Sequence, residues 1–140
     1  MGGDGRSSLL QTWNTCGYYR LVGMRVVRAD DEGSEFEIEI TPDHLQAYGT
    51  AHGGILAGLV DAAMGLAILG RAPDGEGCAT VELKVNFVAG ARPGPERGHG
   101  RVVSEGRRTV VAWGEARDAE GRLLACGLGT FQRIPAERAP

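Results

Sequence analysis

The sequence predicts an α+β fold in which one long central helix is wrapped by a curved, mostly antiparallel sheet. Three observations carry this. The stretch from Gly53 to Gly70, GGILAGLVDAAMGLAILG, is the most apolar in the chain, holds no proline and outruns a strand. Two segments alternate strictly: Phe36, Ile38 and Ile40 against Glu35, Glu37 and Glu39, and Val81, Leu83, Val85 and Phe87 against Thr80, Glu82, Lys84 and Asn86. That period belongs to strands with one covered face. The order is strand, strand, helix, then four strand segments, so one apolar sheet face must cover one helix. Ile55, Leu56, Leu59, Val60, Ala63, Met64, Ala67 and Ile68 go right round that helix. Either the sheet curls about it or a second subunit completes the cover.

Residues 1–8 are Gly-rich and read as a frayed tail. Ser8 through Gly17 forms a short helix with Leu9, Leu10 and Trp13 as its apolar edge. Gly23 to Ala29 is a first strand, Asp30 to Gly33 a turn, and Glu35 to Ile40 a half-buried strand. Thr41 to Ala51 is a polar connection into the central helix. Arg71 to Gly77 is a loop, followed by the second alternating strand. Ala91 to Gly98 breaks that strand with two prolines. Strands then run around Gly100 to Ser104, from Thr109 to Arg117 and from Leu123 to Arg133, joined by turns at Glu105–Arg108 and Asp118–Gly121. Residues 134–140 are a second tail, and residues 1–140 read as one domain.

At 140 residues, 42% hydrophobic and 24% charged, the composition is that of an ordinary soluble protein with a core to fill. A net charge of −3 offers no global attraction to nucleic acid or anionic membrane. Cys16, Cys78 and Cys126 are far apart and lack metal spacing, so free thiols and a cytoplasmic protein without a metal are expected. No signal peptide is visible at the N-terminus. Asp61 argues against reading the apolar run as a membrane span, at a cost of roughly 2.5–3.5 kcal/mol.

Asp61 is the only charged side chain between Gly53 and Gly70. A carboxylate among apolar neighbours needs a partner or a raised pKa, so Asp61 is either a functional acid or a structural one bonded to backbone or to Thr80. Gly53 opens the helix, where free amides and the positive dipole end favour developing negative charge. Its missing side chain lets a carbonyl approach the backbone.

The segment GTAHGGILAGLVDAAMG, with two strands before it and four after, resembles the hotdog-fold acyl-CoA thioesterases. It is most similar to the phenylacetate-pathway (PaaI-like) branch of the 4-hydroxybenzoyl-CoA thioesterase superfamily. The resemblance runs from about Leu21 to Arg133 and includes TVELKVNFV, the RPG after it and the GRRT turn. It implies a hotdog fold, at least a homodimer extending to a homotetramer, and hydrolysis of acyl-CoA thioesters at the subunit interface with no cofactor beyond water. The acyl group would be aryl or medium-chain.

The resemblance also implies roles. The Gly53 amide polarises the thioester carbonyl, Asp61 is the acid, Gln46 holds substrate or water, and Thr80 assists the acid. Gln46 stands where that branch usually has Asn. The 4-hydroxybenzoyl-type relatives carry Glu where this chain has the shorter Asp61.

Asp61 can attack the carbonyl or act as base on water. His52 can orient the thioester or a water, or can equally be an N-terminal turn residue bonded to the backbone. Gln46 can equally be a solvated loop amide. Thr80 lies on the polar side of its strand, off the helix, unless the strand twists or bulges there. Arg92, Arg107 and Arg108, and also Arg97, are candidates for the coenzyme A phosphates. Eight residues separate Gly53 from Asp61, about 12 Å along a helix, too far for both to touch one carbonyl. If both act, Gly53 of one chain works with Asp61 of another across a two-fold dimer with antiparallel central helices. A non-catalytic acyl-CoA sensor is the alternative. A hotdog dehydratase is not matched, because His52 stands directly before Gly53.

Overall fold

The computed structural model of the chain describes residues 3–135 and 137. Two short helices, α1 (Gly3–Asn14) and α2 (Gly17–Val22), precede strands β1 (Met24–Asp30) and β2 (Gly33–Ile40). A 3-10 turn (Pro42–His44) leads to α3 (Gly53–Leu69), and β3 (Glu76–Phe87), β4 (Gly94–Glu105), β5 (Thr109–Asp118) and β6 (Leu123–Pro135) follow. The strands form one six-stranded sheet in the order β1-β2-β4-β5-β6-β3, antiparallel at every pair. The sheet curls about α3, which is the hotdog arrangement.

α3 covers the residues the apolar run predicts and is buried at Ile55, Leu56, Leu59, Val60, Ala62, Ala63, Met64, Leu66, Ala67, Ile68 and Leu69. Phe36, Ile38 and Ile40 of β2 fill the core beneath it at 0%, 3% and 1% exposure, as their alternation requires. Sheet and helix approach closely because glycines face the helix. A Cβ on Gly100 would lie 2.0 Å from the Ala63 carbonyl oxygen. The residues of α3 that are not fully buried, Gly53, Gly54, Ala57, Gly58, Asp61 and Gly65, lie along one narrow face.

Several expectations are corrected. The first helix runs Gly3–Asn14, not Ser8–Gly17, so Gly3–Ser8 are helical; residues 1–2, 136 and 138–140 of the two expected tails lie outside the described residues. α1 is tied down where it ends: the Asn14 side chain exchanges two 2.9 Å hydrogen bonds with the Val26 backbone. α2 was not expected. It ends at Gly23, whose φ of 79° is a left-handed cap, so β1 starts at Met24. β3 begins at Glu76, inside the expected loop, because β6 continues to Pro135 and pairs with it. β4 begins at Gly94 instead of Gly100. Its Pro95 pairs with Glu39 of β2 beyond the β5 ladder, which starts at Glu96, so the missing N–H falls near the strand's start, where it is tolerated.

Among the described residues no helix is long and apolar enough to cross a membrane.

Candidate active site

Asp61 sits on this narrow face of α3 and is half-buried. The Thr80 hydroxyl donates to its Oδ1 at 2.8 Å. Simple alternation puts Thr80 on the wrong side of β3, and the local register explains the contact. Thr80 pairs with Phe131 and Glu82 with Thr130, so Val81 is an extra residue in the ladder. Such a bulge shifts the side-chain alternation by one. Before it, Cys78 and Thr80 face the helix; after it, Leu83, Val85 and Phe87 do. Val81 itself is 60% exposed. Burial pushes the Asp61 carboxyl above the usual carboxylate range, and the Thr80 hydrogen bond works against that rise.

The N-terminus of α3 is fixed by the connection before it. The Ala51 amide donates to the Ala91 carbonyl and the His52 amide to the His44 carbonyl, both at 2.8 Å. His52 is the cap: its Nδ1 accepts from the Gly54 amide at 2.8 Å, and its carbonyl accepts from Ile55 at 3.0 Å. Among the described residues the Gly53 amide has no acceptor. The Gly53 amide thus remains a free donor at the positive end of the helix, as an oxyanion site requires. The Phe87 ring lies over it, 3.3 Å from where a Gly53 Cβ would stand.

Gly53 opens onto a cleft of about 330 Å³ lined by Gln46, Thr50, Gly53, Leu56, Phe87 and Gly90, among others. Gln46 reaches it from a tight loop. Its Oε1 accepts from the Tyr48 amide at 2.5 Å and its Nε2 donates to Thr50 Oγ1 at 2.8 Å. Two groups of sequence-predicted residues therefore form, Gln46, His52 and Gly53 at the helix start and Asp61 with Thr80 two turns on.

Sequence reasoning missed the other groups around Asp61. Cys78 faces Gly65 from the strand and is half-buried; burial and the Asp61 charge push its thiol up to about 11. A thiol raised by burial is a weaker nucleophile at neutral pH than a free one. Burial, Cys16 and Asp61 likewise raise the Tyr19 phenol. Cys78 was findable, since it shares a strand face with Thr80. Nothing in the sequence pointed to α2 or its tyrosines.

The arginines separate. Arg97 is held by Glu35 at 2.5 Å and Glu37 at 3.7 Å on the outer sheet face. Arg92 is exposed and follows Ala91, which anchors the Gly53 end of α3. Arg107 and Arg108 are exposed in the β4–β5 turn, beside Glu105, which pairs with Arg71 just past the other end of α3. Among the described residues no three His, Cys, Asp or Glu side chains converge as a metal site would need.

Known proteins are similar to this chain in sequence and fold. Residues 48–125 match the family model described as thioesterase superfamily. A relative from Saccharolobus solfataricus, named "putative esterase", is 31% identical over 115 residues, covering 81% of this chain and 75% of its own. The solved conserved protein PA5202 from Pseudomonas aeruginosa is 31% identical with a TM-score of 0.83, covering 89% of this chain and 98% of its own. The E. coli PaaI protein from the phenylacetic acid degradation operon shares the fold at TM-score 0.83 and 18% identity, over 93% of this chain and 91% of its own. The chain belongs to the thioesterase superfamily, and with it to the hydrolases of thioesters or esters.

Proposed function

We propose that the chain hydrolyses acyl-CoA thioesters, aryl or medium-chain, to free acid and coenzyme A. One observation carries the reading: a half-buried carboxylate, Asp61, shares an otherwise apolar helix with the free amide of Gly53. The Gly53 amide and the helix dipole stabilise the oxyanion of the tetrahedral adduct. Asp61, oriented by Thr80, delivers the nucleophile, either as base on water or by direct attack. A carboxylate lifted by burial is a better base than one in water. His52 keeps the first turn in place through Gly54 and leaves Gly53 unpaired, and Gln46 offers an amide beside the same cleft.

At about 12 Å apart on one helix, Gly53 and Asp61 serve one carbonyl only when contributed by different subunits. The unpaired edge of β3, with Val81 at 60% and Phe87 at 56% exposure, favours such a dimer. Arg92, which follows the Ala91 anchor of the Gly53 end, is the first choice for the coenzyme A phosphates, with Arg107 and Arg108 reaching them from the partner.

The test is release of free CoA across a panel of aryl and aliphatic acyl-CoAs, by wild type and Asp61→Asn. Turnover by the wild type with a loss of at least about a hundredfold in the variant is expected. Binding without turnover would favour an acyl-CoA sensor instead.

A further inference from the structure

One polar group on the narrow face of α3 has no part in the reaction as described. Tyr18, on α2, lays its phenol against the helix at Gly58. A Cβ at Gly58 would stand 2.4 Å from the Tyr18 Oη and 3.5 Å from its Cζ. The ring is seated by the core: Tyr18 meets Tyr19 edge-on with centroids 6.4 Å apart, and Tyr19, 4% exposed, meets Phe36 at 5.5 Å. Tyr18 itself stays 49% exposed, so a ring packed on one side remains accessible from the other.

Gly58 lies one turn before Asp61, about 4.5 Å along the axis. Helical side chains lean toward the helix N-terminus, so the Asp61 carboxylate reaches back over the turn on which the phenol rests. Thr80 occupies Oδ1 from β3, and among the described residues no hydrogen bond is made to Oδ2. A carboxylate oxygen and a hydroxyl so disposed suit one shared water.

We infer that Tyr18 is a further catalytic residue, its Oη and Asp61 Oδ2 holding the attacking water between them; this rests on the thioesterase reading above. The water donates one hydrogen to Oδ2 and the other to Oη, which turns a lone pair toward the thioester carbon. Asp61 takes the first proton as the water oxygen bonds to that carbon. The carbon–sulfur bond breaks as the adduct collapses, and the thiolate leaves with the proton returned from Asp61. Tyr18 keeps its own proton throughout.

The experiment compares wild type, Tyr18→Phe, Gly58→Ala and the double variant on whichever acyl-CoA the wild type turns over fastest, with kcat, KM and Tm measured. Tyr18→Phe should lower kcat about 10- to 100-fold, with KM within about twofold. Its Tm should hold. Gly58→Ala should lower kcat similarly, because the new methyl displaces the hydroxyl. The double variant should be no worse than Tyr18→Phe, since the ring carbon at 3.5 Å accepts that methyl. After a single turnover in oxygen-18 water, label should appear in the released acid and not in Asp61. Unchanged kcat in Tyr18→Phe, a loss confined to KM or Tm, or label in Asp61 would overturn the inference while the thioesterase reading stands. A wild type that turns over no acyl-CoA would remove that reading and this inference with it.

Discussion

Glu96 should make this protein less stable above neutral pH, and replacing it with glutamine should abolish the effect. Glu96 faces inward on β4, 2% exposed, opposite Ile38 of β2 and Asp118 of β5. Among the described residues neither carboxylate oxygen has a hydrogen-bond partner. Burial first, and then the neighbouring Asp118 charge, push the carboxyl from 4.5 up to about 7. A carboxyl whose pKa is raised on folding contributes full stability below its unfolded value and loses it as pH climbs through the folded value. Between about pH 5 and about pH 8 that loss is about 2.5 kcal/mol. It corresponds to about 8 °C in Tm for a chain of this size. Glu96→Gln carries no charge at either pH, so it should be spared the loss due to Glu96, and only the change that both proteins share, through Asp61 among others, should remain. The acids held below their usual range, Asp30, Glu105, Glu115 and Asp118, act on the acid side and do not mask this. Urea denaturation of both proteins at the two pH values measures it. Wild-type and Glu96→Gln stabilities that run parallel from about pH 5 to about pH 8 would refute the reasoning.

Thr80→Val removes the one hydrogen bond that holds the Asp61 carboxyl down, so the acid limb of the kcat/KM–pH profile should move to higher pH, with about a tenfold loss in kcat/KM on the plateau. Gly100→Ala puts a methyl 2.0 Å from the Ala63 carbonyl, where backbone must yield, and should cost about 3 kcal/mol or more by denaturant titration. Arg92→Ala should raise KM for an acyl-CoA about tenfold and leave KM for the acyl-pantetheine fragment unchanged. Arg97→Ala, whose guanidinium is already paired with Glu35, should move neither.

How much was legible in the sequence follows the range of the forces involved. α3 was readable nearly to the residue because a long apolar run without proline has one compact outcome. Phe36, Ile38 and Ile40 were readable because a period of two with one buried face is local. Asp61 was conspicuous because a charge in such a helix needs a reason. Strand starts were less legible: Glu76 and Gly94 enter the sheet because distant partners, Pro135 and Ile40, are there to pair with them. The bulge at Val81 is likewise a property of the β3–β6 ladder, and without it Thr80 points away from Asp61. α2 is six residues long, too short to show a period, so Tyr18 carried no signal, although Gly23 marks where that helix stops.

The central claim, that one active site draws Gly53 and Asp61 from two chains, has a direct measurement. Proline at the first helical position removes only an amide the helix does not use. His52, at φ −58° and ψ 135°, already has the extended backbone favoured before proline. The Phe87 ring over Gly53 is 56% exposed and free to give way. Gly53→Pro should therefore fold yet lose about 10²- to 10³-fold in kcat, and Asp61→Asn should be at least as impaired. Mixed and re-associated in equal amounts, the two inactive proteins should recover about a quarter of wild-type CoA release, because half the dimers are hybrids and each hybrid has one intact site. No recovery, with hybrids shown to have formed, would contradict a site shared between chains.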